Sequence, residues 1–239
     1  MRHGLKILLR PFGAAARKVL GTITHVATQD PVAALTFDDG PHPEFTPRLL
    51  DILEKHNAHA TFFMVGEAAQ RYPQLVRAVA RAGHAIGNHS WDHPSFPSLS
   101  GRERRQQILA CAAATAPYAE GLFRPPWGLQ SVGSNLHALW LGYQVVTWNV
   151  VAGDWLPRKP EDMAGRLITS IEPGSIVLLH DAIYRSRISE PQWNRQPMLE
   201  AINIALTHLN GSLRFITLPR LLRHGNPIKQ HWFTQEALF

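Results

Sequence analysis

The amino-acid sequence predicts an α/β fold in which helices cover a mostly parallel sheet. Short β-type runs alternate with helical patterns from about Val32 onward. The alternation repeats about seven times over ~200 residues, which favours a closed or nearly closed barrel, although an open doubly wound sheet produces the same pattern. The 239 residues contain 45% hydrophobic side chains, and no repeat or break in composition marks a second domain. We therefore expect a single domain with one substantial core.

The first half of the chain is predicted to contain, in order, strand AALTF (33–37), helix TPRLLDILEKHN (46–57), strand ATFFMVG (60–66), a helix over 67–83 and the short strand-like run HAIGNH (84–89). The leucines and the isoleucine of the first helix approximate one helical face, which indicates packing against a sheet. The second helix ends at Gly83, the residue type that most often follows a helix.

The second half continues the alternation with helix RERRQQILACAAATA (102–116), strand GLFRP (121–125), a further helix, strand YQVVTWNV (143–150), strand SIVLLHD (175–181), helix QPMLEAINIALTHL (196–209) and strand RFITL (214–218). We expect Trp140 and Trp148 to be core residues, because they fall on helix and strand patterns. The irregular segment YRSRISEPQW (184–193) follows one of these strands, and its length makes it a candidate for a substrate-specificity lid.

The chain is basic, with 24 lysines and arginines against 18 acidic residues and a sequence pI near 9.9. A positive balance favours an anionic partner, which could be nucleic acid, a membrane surface or an acidic glycan. No nucleic-acid fold signature is present, so a nucleic-acid partner is not expected. The single cysteine, Cys111, excludes an internal disulfide and a cysteine-based zinc cluster. It is predicted to be buried on a helix.

The first twenty residues, MRHGLKILLRPFGAAARKVL, are basic and partly apolar. Their longest uncharged apolar run, ILL, is far shorter than the roughly 7 to 15 residues of a signal-peptide core or the ~20 of a membrane span. We expect a basic arm over 1–30, a main domain over 31–220 and a tail over 221–239. A location in the cytoplasm or at its membrane face follows, with peripheral membrane contact through residues 1–20 as an open alternative. The oligomeric state is not predicted.

Acids, histidines and an arginine follow five of the predicted strands, where a parallel α/β fold places its site. These side chains are Asp38 and Asp39, His89 and His93, Arg124, Asp154, and His180 with Asp181. Any one of them alone is explained by helix capping or by a hydrogen bond within a loop. Together they predict one functional rim at the carboxyl ends of the strands.

Two histidines and a carboxylate form a common divalent-metal triad that leaves coordination positions open. His89 and His93 are four residues apart, so a helical turn or a compact loop can aim both at one point. Asp39 is the expected carboxylate. A bound cation would also make the adjacent charge of Asp38 tolerable, which leaves Asp38 to act as a base. The donor set suits zinc, although cobalt, nickel, manganese or iron could use the same ligands.

Five motifs occur in order between about Ala33 and Leu218: TFDDG (36–40), HSWDH (89–93), RPPWG (124–128), GDW (153–155) and LLHD (178–181). In this order they resemble the polysaccharide deacetylases of carbohydrate esterase family 4, which share the NodB homology domain. The first two motifs are specific as a spaced pair. The third and fifth are looser, and the fourth is weak alone.

The resemblance implies a distorted (β/α)7-type, TIM-like barrel that removes N-acetyl groups from amino sugars of a polysaccharide, oligosaccharide or lipid-linked glycan. It implies Asp38 as general base and His180 as general acid, with Asp39, His89 and His93 as metal ligands. It also implies that Arg124 orients the base and that Asp154 orients His180. The Trp127 backbone amide is implied as oxyanion donor, and Trp155 and Leu178 as the lining of the acetyl pocket. Attack on an amide needs an activated nucleophile, a stabilised oxyanion and a proton for the leaving nitrogen, and this set supplies all three.

Two departures from the family pattern bear on these roles. Trp127 stands where the family often has tyrosine or phenylalanine, and VVAGDW (150–155) lacks an upstream aspartate that many members carry. Two alternative functions are a catalytically silent carbohydrate-binding relative and a basic membrane-associated module. The presence of both aspartates and of the three histidines argues against the silent relative.

Overall fold

The computed structural model describes residues 21–184 and 194–230. Its strands are β1 Thr22–Ala27, β2 Val32–Asp38, β3 Ala60–Met64, β4 Ala85–Asn88, β5 Ala119–Phe123, β6 Gln144–Val145, β7 Val150–Val151, β8 Ile176–His180, β9 Arg214–Phe215 and β10 Asn226–Gln230. Its helices are α1 Phe45–Lys55, α2 Gly66–Arg71, α3 Pro73–Arg81, α4 Gly101–Thr115, α5 Val132–Trp140, α6 Pro160–Ser170, α7 Gln196–Leu209 and α8 Leu218–Leu221.

The main sheet is parallel and has the strand order β6-β5-β4-β3-β2-β8-β7, with β9 pairing to β2 beside this path. It curls into a half-barrel, which confirms the predicted α/β class and the barrel interpretation. Strand β1 lies across the opening, where the Ile23 carbonyl accepts a hydrogen bond from the Thr147 amide at 2.8 Å. Strand β10 pairs antiparallel with β1. The first and last described strands thus form a separate ribbon.

The central strands are covered on both faces, as expected of a parallel sheet. Every residue of β2 and β3 is buried. Along β2, Leu35 and Phe37 pack on the helix side with residues such as Leu49 of α1. The alternate residue Ala34 faces the inside of the curl, in a cluster with Leu178. This two-residue alternation separates an outer core under the helices from an inner core below the strand ends.

Three predicted elements differ from the observed ones. The helix expected over 67–83 is two helices, because Tyr72 leaves the helical region (ψ 58°) and Pro73 restarts the chain as the first residue of α3. The strand expected over 143–150 is divided into β6 and β7, with an isolated parallel bridge from Val146 to Ile23 between them. The strand expected over 214–218 is limited to β9, and Leu218 already begins α8.

The prediction for Trp140 is wrong, whereas those for Trp148 and Cys111 are confirmed. Trp140 is 76% exposed, because α5 buries its other face through Asn135 and Ala138. Trp148 and Cys111 are buried. Among the described residues, no helix combines the length and the apolar character that crossing a membrane requires. Residues 185–193 of the predicted lid and residues 1–20 of the basic arm lie outside the described part of the chain.

Candidate active site

The predicted rim exists, because the carboxyl ends of neighbouring strands bring its residues together. Asp38 ends β2 and His180 ends β8, and the two are register partners across that strand pair. His89 directly follows β4, and Arg124 directly follows β5. Asp154 lies three residues beyond the end of β7. The five strand ends therefore converge on one site, as the sequence predicted.

Three buried side chains form a group that can hold a metal ion. The Oδ1 atom of Asp39 lies 3.4 Å from Nε2 of His89 and 3.3 Å from Nε2 of His93. The three ligand atoms lie within 4.8 Å of one another. Although it is buried, Asp39 Oδ1 has no hydrogen-bond partner among the described residues. A buried carboxylate oxygen facing two imidazole nitrogens, and otherwise unpartnered, fits a divalent cation.

The imidazole of His89 is held in the tautomer that a metal ligand requires. Its Nδ1–H donates to the backbone carbonyl of Arg124 at 2.8 Å, so the lone pair is on Nε2, the atom that faces Asp39. A hydrogen bond from the second ring nitrogen to a carbonyl commonly fixes a metal-binding histidine in this way. The residue after β5 therefore contributes through its backbone as well as through its side chain.

The HSWDH segment is a compact loop rather than a helical turn. Ser90 and His93 have positive φ angles of 70° and 59°, in the left-handed region that non-glycine residues seldom adopt. The side chain of Asn88 accepts the Ser90 amide at 2.9 Å, and Ser90 Oγ accepts the His93 amide at 3.1 Å. From α4, Gln107 Oε1 accepts the Trp91 and Asp92 amides, at 2.9 and 3.1 Å. These side-chain bonds hold the loop in its strained shape.

The charges in the metal-binding group are arranged for cation binding. Burial alone would raise the pKa of Asp39, but the imidazoles of His93, His89 and His180 outweigh it and lower the pKa to about 2. Burial lowers the pKa of His93 to about 4, against the opposing attraction of Asp39. Near neutral pH the aspartate is therefore ionised and the His93 imidazole is neutral, as metal binding requires.

Asp38 is held by a fully buried arginine. Nη1 of Arg124 donates to Asp38 Oδ1 at 2.7 Å and to Thr36 Oγ1 at 2.7 Å, and Nη2 donates to the Thr147 carbonyl at 2.8 Å. The guanidinium group also lies 4.1 Å from the centroid of the Phe63 ring. The other carboxylate oxygen, Oδ2, lies 3.8 Å from His89 Nε2. One oxygen of Asp38 is thus fixed, and the other faces the metal-binding group.

His180 forms a pair with Asp154 on the other side of the rim. Its Nδ1 lies 3.1 Å from Asp154 Oδ1, and its backbone amide donates to Asp154 Oδ2 at 2.8 Å. Burial alone would lower the pKa of His180, but Asp154, followed by Asp39 and Asp38, outweighs burial and raises it. The site therefore favours a protonated imidazole at His180, and Asp154 directs its ring.

The three residues expected to contact substrate lie around these groups. Trp127 has a positive φ of 60°, is 43% exposed, and its ring centroid lies 4.8 Å from that of His93. The ring of Trp155 meets the His180 ring edge-on at 5.6 Å. Leu178 lies two residues before His180 on β8 and is 3% exposed. All three therefore border the site, with Leu178 mostly covered by the inner core.

Sequence reasoning missed Arg195, which supports the site, and it placed Asp181 on the rim without assigning it a role. Arg195 is 2% exposed and forms an ion pair with Asp154. Asp181 accepts a hydrogen bond from Thr46 Oγ1, which by itself would lower the pKa of Asp181. Burial outweighs that bond and raises the pKa to about 7. The LLHD motif is a signal for Asp181, because it places a second acid directly after His180. No local signal marks Arg195, since it stands between an irregular segment and a helix.

Comparison with known proteins agrees with the geometry. Residues 25–146 match the family model described as polysaccharide deacetylase. A peptidoglycan-N-acetylglucosamine deacetylase of Bacillus cereus is 34% identical over 194 residues, covering 80% of this chain and 68% of the relative. A chitooligosaccharide deacetylase of Azorhizobium caulinodans is 36% identical over 167 residues, covering 68% of this chain and 80% of the relative.

A solved structure is similar over most of its length. The crystal structure of a peptidoglycan N-acetylglucosamine deacetylase, in complex with an N-oxidanyl-benzamide, superposes with a TM-score of 0.75 at 31% identity. The alignment covers 87% of this chain and 94% of that one. The sequence motifs, the parallel half-barrel and the aspartate–histidine–histidine group are therefore all explained together: this chain belongs to the polysaccharide deacetylase family, whose enzymes are generally metal-dependent.

Proposed function

We propose that this protein is a metal-dependent hydrolase that removes N-acetyl groups from the N-acetylglucosamine units of a glycan. The observation that carries the proposal is the pairing of two proton-transfer groups at one metal-binding group. Asp38 ends β2 and is held by Arg124. His180 ends the neighbouring strand β8, directly opposite Asp38, and is held by Asp154. Hydrolysis of an amide needs one group to take a proton and another to give one.

Asp39, His89 and His93 would hold the metal, and we propose zinc because two imidazole nitrogens and one carboxylate oxygen suit it. A divalent ion there supplies Lewis acidity, which polarises the acetyl carbonyl and makes water a stronger nucleophile. The lowered pKa of Asp39 and the fixed tautomer of His89 support this assignment.

Asp38 acts as the general base in the proposed mechanism. Its Oδ2 takes a proton from the attacking water, while the bond from Arg124 to Oδ1 prevents the carboxylate from rotating away. Because a guanidinium group keeps its charge at any ordinary pH, the bond from Arg124 to Asp38 persists over that whole range. The bonds from Arg124 to Thr36 and to the Thr147 carbonyl hold this orientation before substrate binds.

His180 acts as the general acid and protonates the departing amine. An amine anion is a very poor leaving group, so the carbon–nitrogen bond breaks only when the nitrogen receives a proton. Asp154 holds the imidazole through Nδ1, which leaves Nε2 to deliver the proton. The Trp127 backbone amide is proposed to stabilise the oxyanion, and Trp155 and Leu178 to line the space for the acetyl methyl group.

Relatives of this chain are named for both peptidoglycan and chitooligosaccharide, so the shared chemical unit is the N-acetylated glucosamine. We propose that unit as the substrate class. A cytoplasmic location, or one at the cytoplasmic face of the membrane with contact through residues 1–20, stays a prediction. Cell fractionation of the full chain and of a variant lacking residues 2–20 tests it.

The function is tested by acetate release from N-acetylated chitooligosaccharides and from peptidoglycan fragments. Chelated enzyme, zinc-restored enzyme and an Asp38→Asn variant are compared. We expect release that needs the metal and is lost in the variant, since a general base contributes about 10²- to 10⁴-fold. A zinc-loaded protein that releases acetate from neither substrate would instead support the silent carbohydrate-binding relative.

A further inference from the structure

Arg195 is a buried residue to which the proposed mechanism gives no role. It is 2% exposed and directly precedes α7. Its backbone carbonyl accepts a hydrogen bond from the Leu199 amide at 3.0 Å, which joins it to the first turn of that helix. Its guanidinium group points away from the helix toward the loop after β7 and the end of β8. Helix α7 is itself anchored by buried residues, among them Met198 and Ile202. The arginine therefore stands on a rigid support.

The guanidinium group binds the His180–Asp154 pair at three points. Nη2 of Arg195 pairs with Asp154 Oδ2, and Nη1 donates to the Asp154 backbone carbonyl at 2.9 Å. Nε donates to the His180 backbone carbonyl at 3.1 Å. With the bonds from His180, each carboxylate oxygen of Asp154 has at least one hydrogen-bond partner. The three residues form a closed unit that joins two strand ends to a helix.

We propose that Arg195 is a positioning residue for deacetylation, which fixes the orientation of Asp154 and limits how tightly that carboxylate holds the proton on His180. This inference rests on the proposed role of His180 as proton donor. A carboxylate that interacts only with a histidine would make the imidazolium a weak acid. A permanent positive charge on the same carboxylate offsets part of that attraction, so His180 can release its proton to the leaving nitrogen.

The charged groups around His180 set the direction of the expected change. Asp154 faces it from the loop after β7, and Asp38 and Asp39 act on it from the end of β2. The cation of Arg195 approaches from the start of α7, and His93 acts from the loop after β4. Removing the arginine leaves the carboxylates unopposed, so the pKa of His180 should rise. Removing the Asp154 charge should lower that pKa, because it takes away an attraction for the proton.

The test compares Arg195→Met with Arg195→Lys and with the matched control Arg158→Met. Arg158 lines the same small cavity as Asp154 and Arg195, but it makes no hydrogen bond to Asp154 or His180 among the described residues. We expect Arg195→Met to lower kcat roughly 10- to 100-fold with little change in KM or zinc content. The alkaline limb of its kcat profile should move to higher pH. Arg195→Lys should be intermediate, added guanidinium ion should partly restore Arg195→Met, and Arg158→Met should match the wild type.

NMR titration of the His180 imidazole in the zinc-loaded proteins provides a readout that does not need activity. A higher His180 pKa in Arg195→Met supports the proposal even if no N-acetyl glycan is cleaved, in which case only the proposed function fails. A kcat loss with an unchanged pH profile and an unchanged His180 titration would overturn the proposal, since it would show that the arginine only supports the fold. If Arg195→Met does not fold, Arg195→Lys and its titration decide between the two.

Discussion

The two sides of the site each contain a buried aspartate–arginine pair, and they use it differently. On the base side, Arg124 binds one oxygen of Asp38 and leaves the other facing the metal-binding group. On the acid side, Asp154 has both oxygens engaged, one by His180 and the other by His180 and Arg195. The Asp38 oxygen that Arg124 does not bind can accept a proton, whereas both oxygens of Asp154 are held in bonds that direct the His180 ring. The number of bonds, rather than the residue types, separates the two roles.

The two sides also differ in their backbone. On the base and metal side, Asp39, Ser90, His93 and Trp127 all have positive φ angles between 59° and 74°. On the acid side, the left-handed residue is Gly153, which adopts this region without a steric penalty. Bringing three ligands to one point requires strained turns, while a hydrogen-bonded proton donor fits on ordinary strand ends.

The largest effect is expected from His93→Ala, which removes a metal ligand. Zinc content should fall well below one ion per chain, and kcat/KM should drop by about 100-fold or more, since Lewis acidity contributes several kcal/mol. Metal analysis after gel filtration and acetate release are measured on the same sample. His84→Ala is the matched control, because His84 is a buried histidine that accepts the Ala60 amide and lies outside the group. Equal zinc content in the two variants would contradict the assignment.

The variants Asp38→Asn and His180→Asn distinguish the general base from the general acid when two substrates with different leaving groups are compared. On an N-acetyl sugar both variants should lose about 10²- to 10⁴-fold in kcat. On 4-nitrophenyl acetate, whose phenolate departs without a proton, His180→Asn should keep most of its activity. Asp38→Asn should still lose it, because water must be deprotonated in either case.

Initial rates on both substrates, with zinc content checked in each variant, give the measurement. Equal losses for the two variants on the ester would show that His180 is not a leaving-group acid.

A smaller effect is expected where the two sides meet, at Gly40 and Asp181. These residues follow Asp39 and His180, and a Cβ atom on Gly40 would lie well inside contact distance of the buried Asp181 carboxylate. Gly40→Ala should therefore cost about 1–3 kcal/mol in the free energy of unfolding and lower kcat by pushing the sides apart.

Gly165→Ala in α6 is the control, because a Cβ there meets no atom within 4 Å. It should stabilise the helix by about 0.5–1 kcal/mol and leave kcat unchanged. Thermal and urea unfolding measure both changes. An unaltered stability in Gly40→Ala would show that the contact between the sides is loose.

The sequence allowed prediction of the parts of the site that depend on topology. Parallel strands place their carboxyl ends together, so Asp38, His89, Arg124 and His180 could be assigned to one rim before any coordinates were known. The same reasoning could not find Arg195, because its position beside Asp154 and His180 depends on how α7 packs against α1 and α6. It also could not predict the left-handed turn at His93, which is held by side chains from two other elements.

Prediction of the fold from the sequence had the same limits. The apolar pattern over 67–83 continues without a break, so a single helix was predicted there. The structure has two helices, because Pro73 divides the segment. Trp140 was expected in the core because it is an aromatic residue that falls on a helix pattern. The face of α5 that packs inward instead carries small and polar residues, and the tryptophan lies on the opposite face. Residue type alone does not say which face of a helix is covered.

The pH dependence of kcat in the wild type and in Asp154→Asn tests most directly whether the two sides have opposite proton-transfer roles. Because Asp154 raises the pKa of His180, the wild type should stay active until the pH rises through that raised value. Loss of the Asp154 charge should move the alkaline limb to lower pH and leave the acid limb in place. An alkaline limb that does not move, or an acid limb that moves instead, would contradict the account.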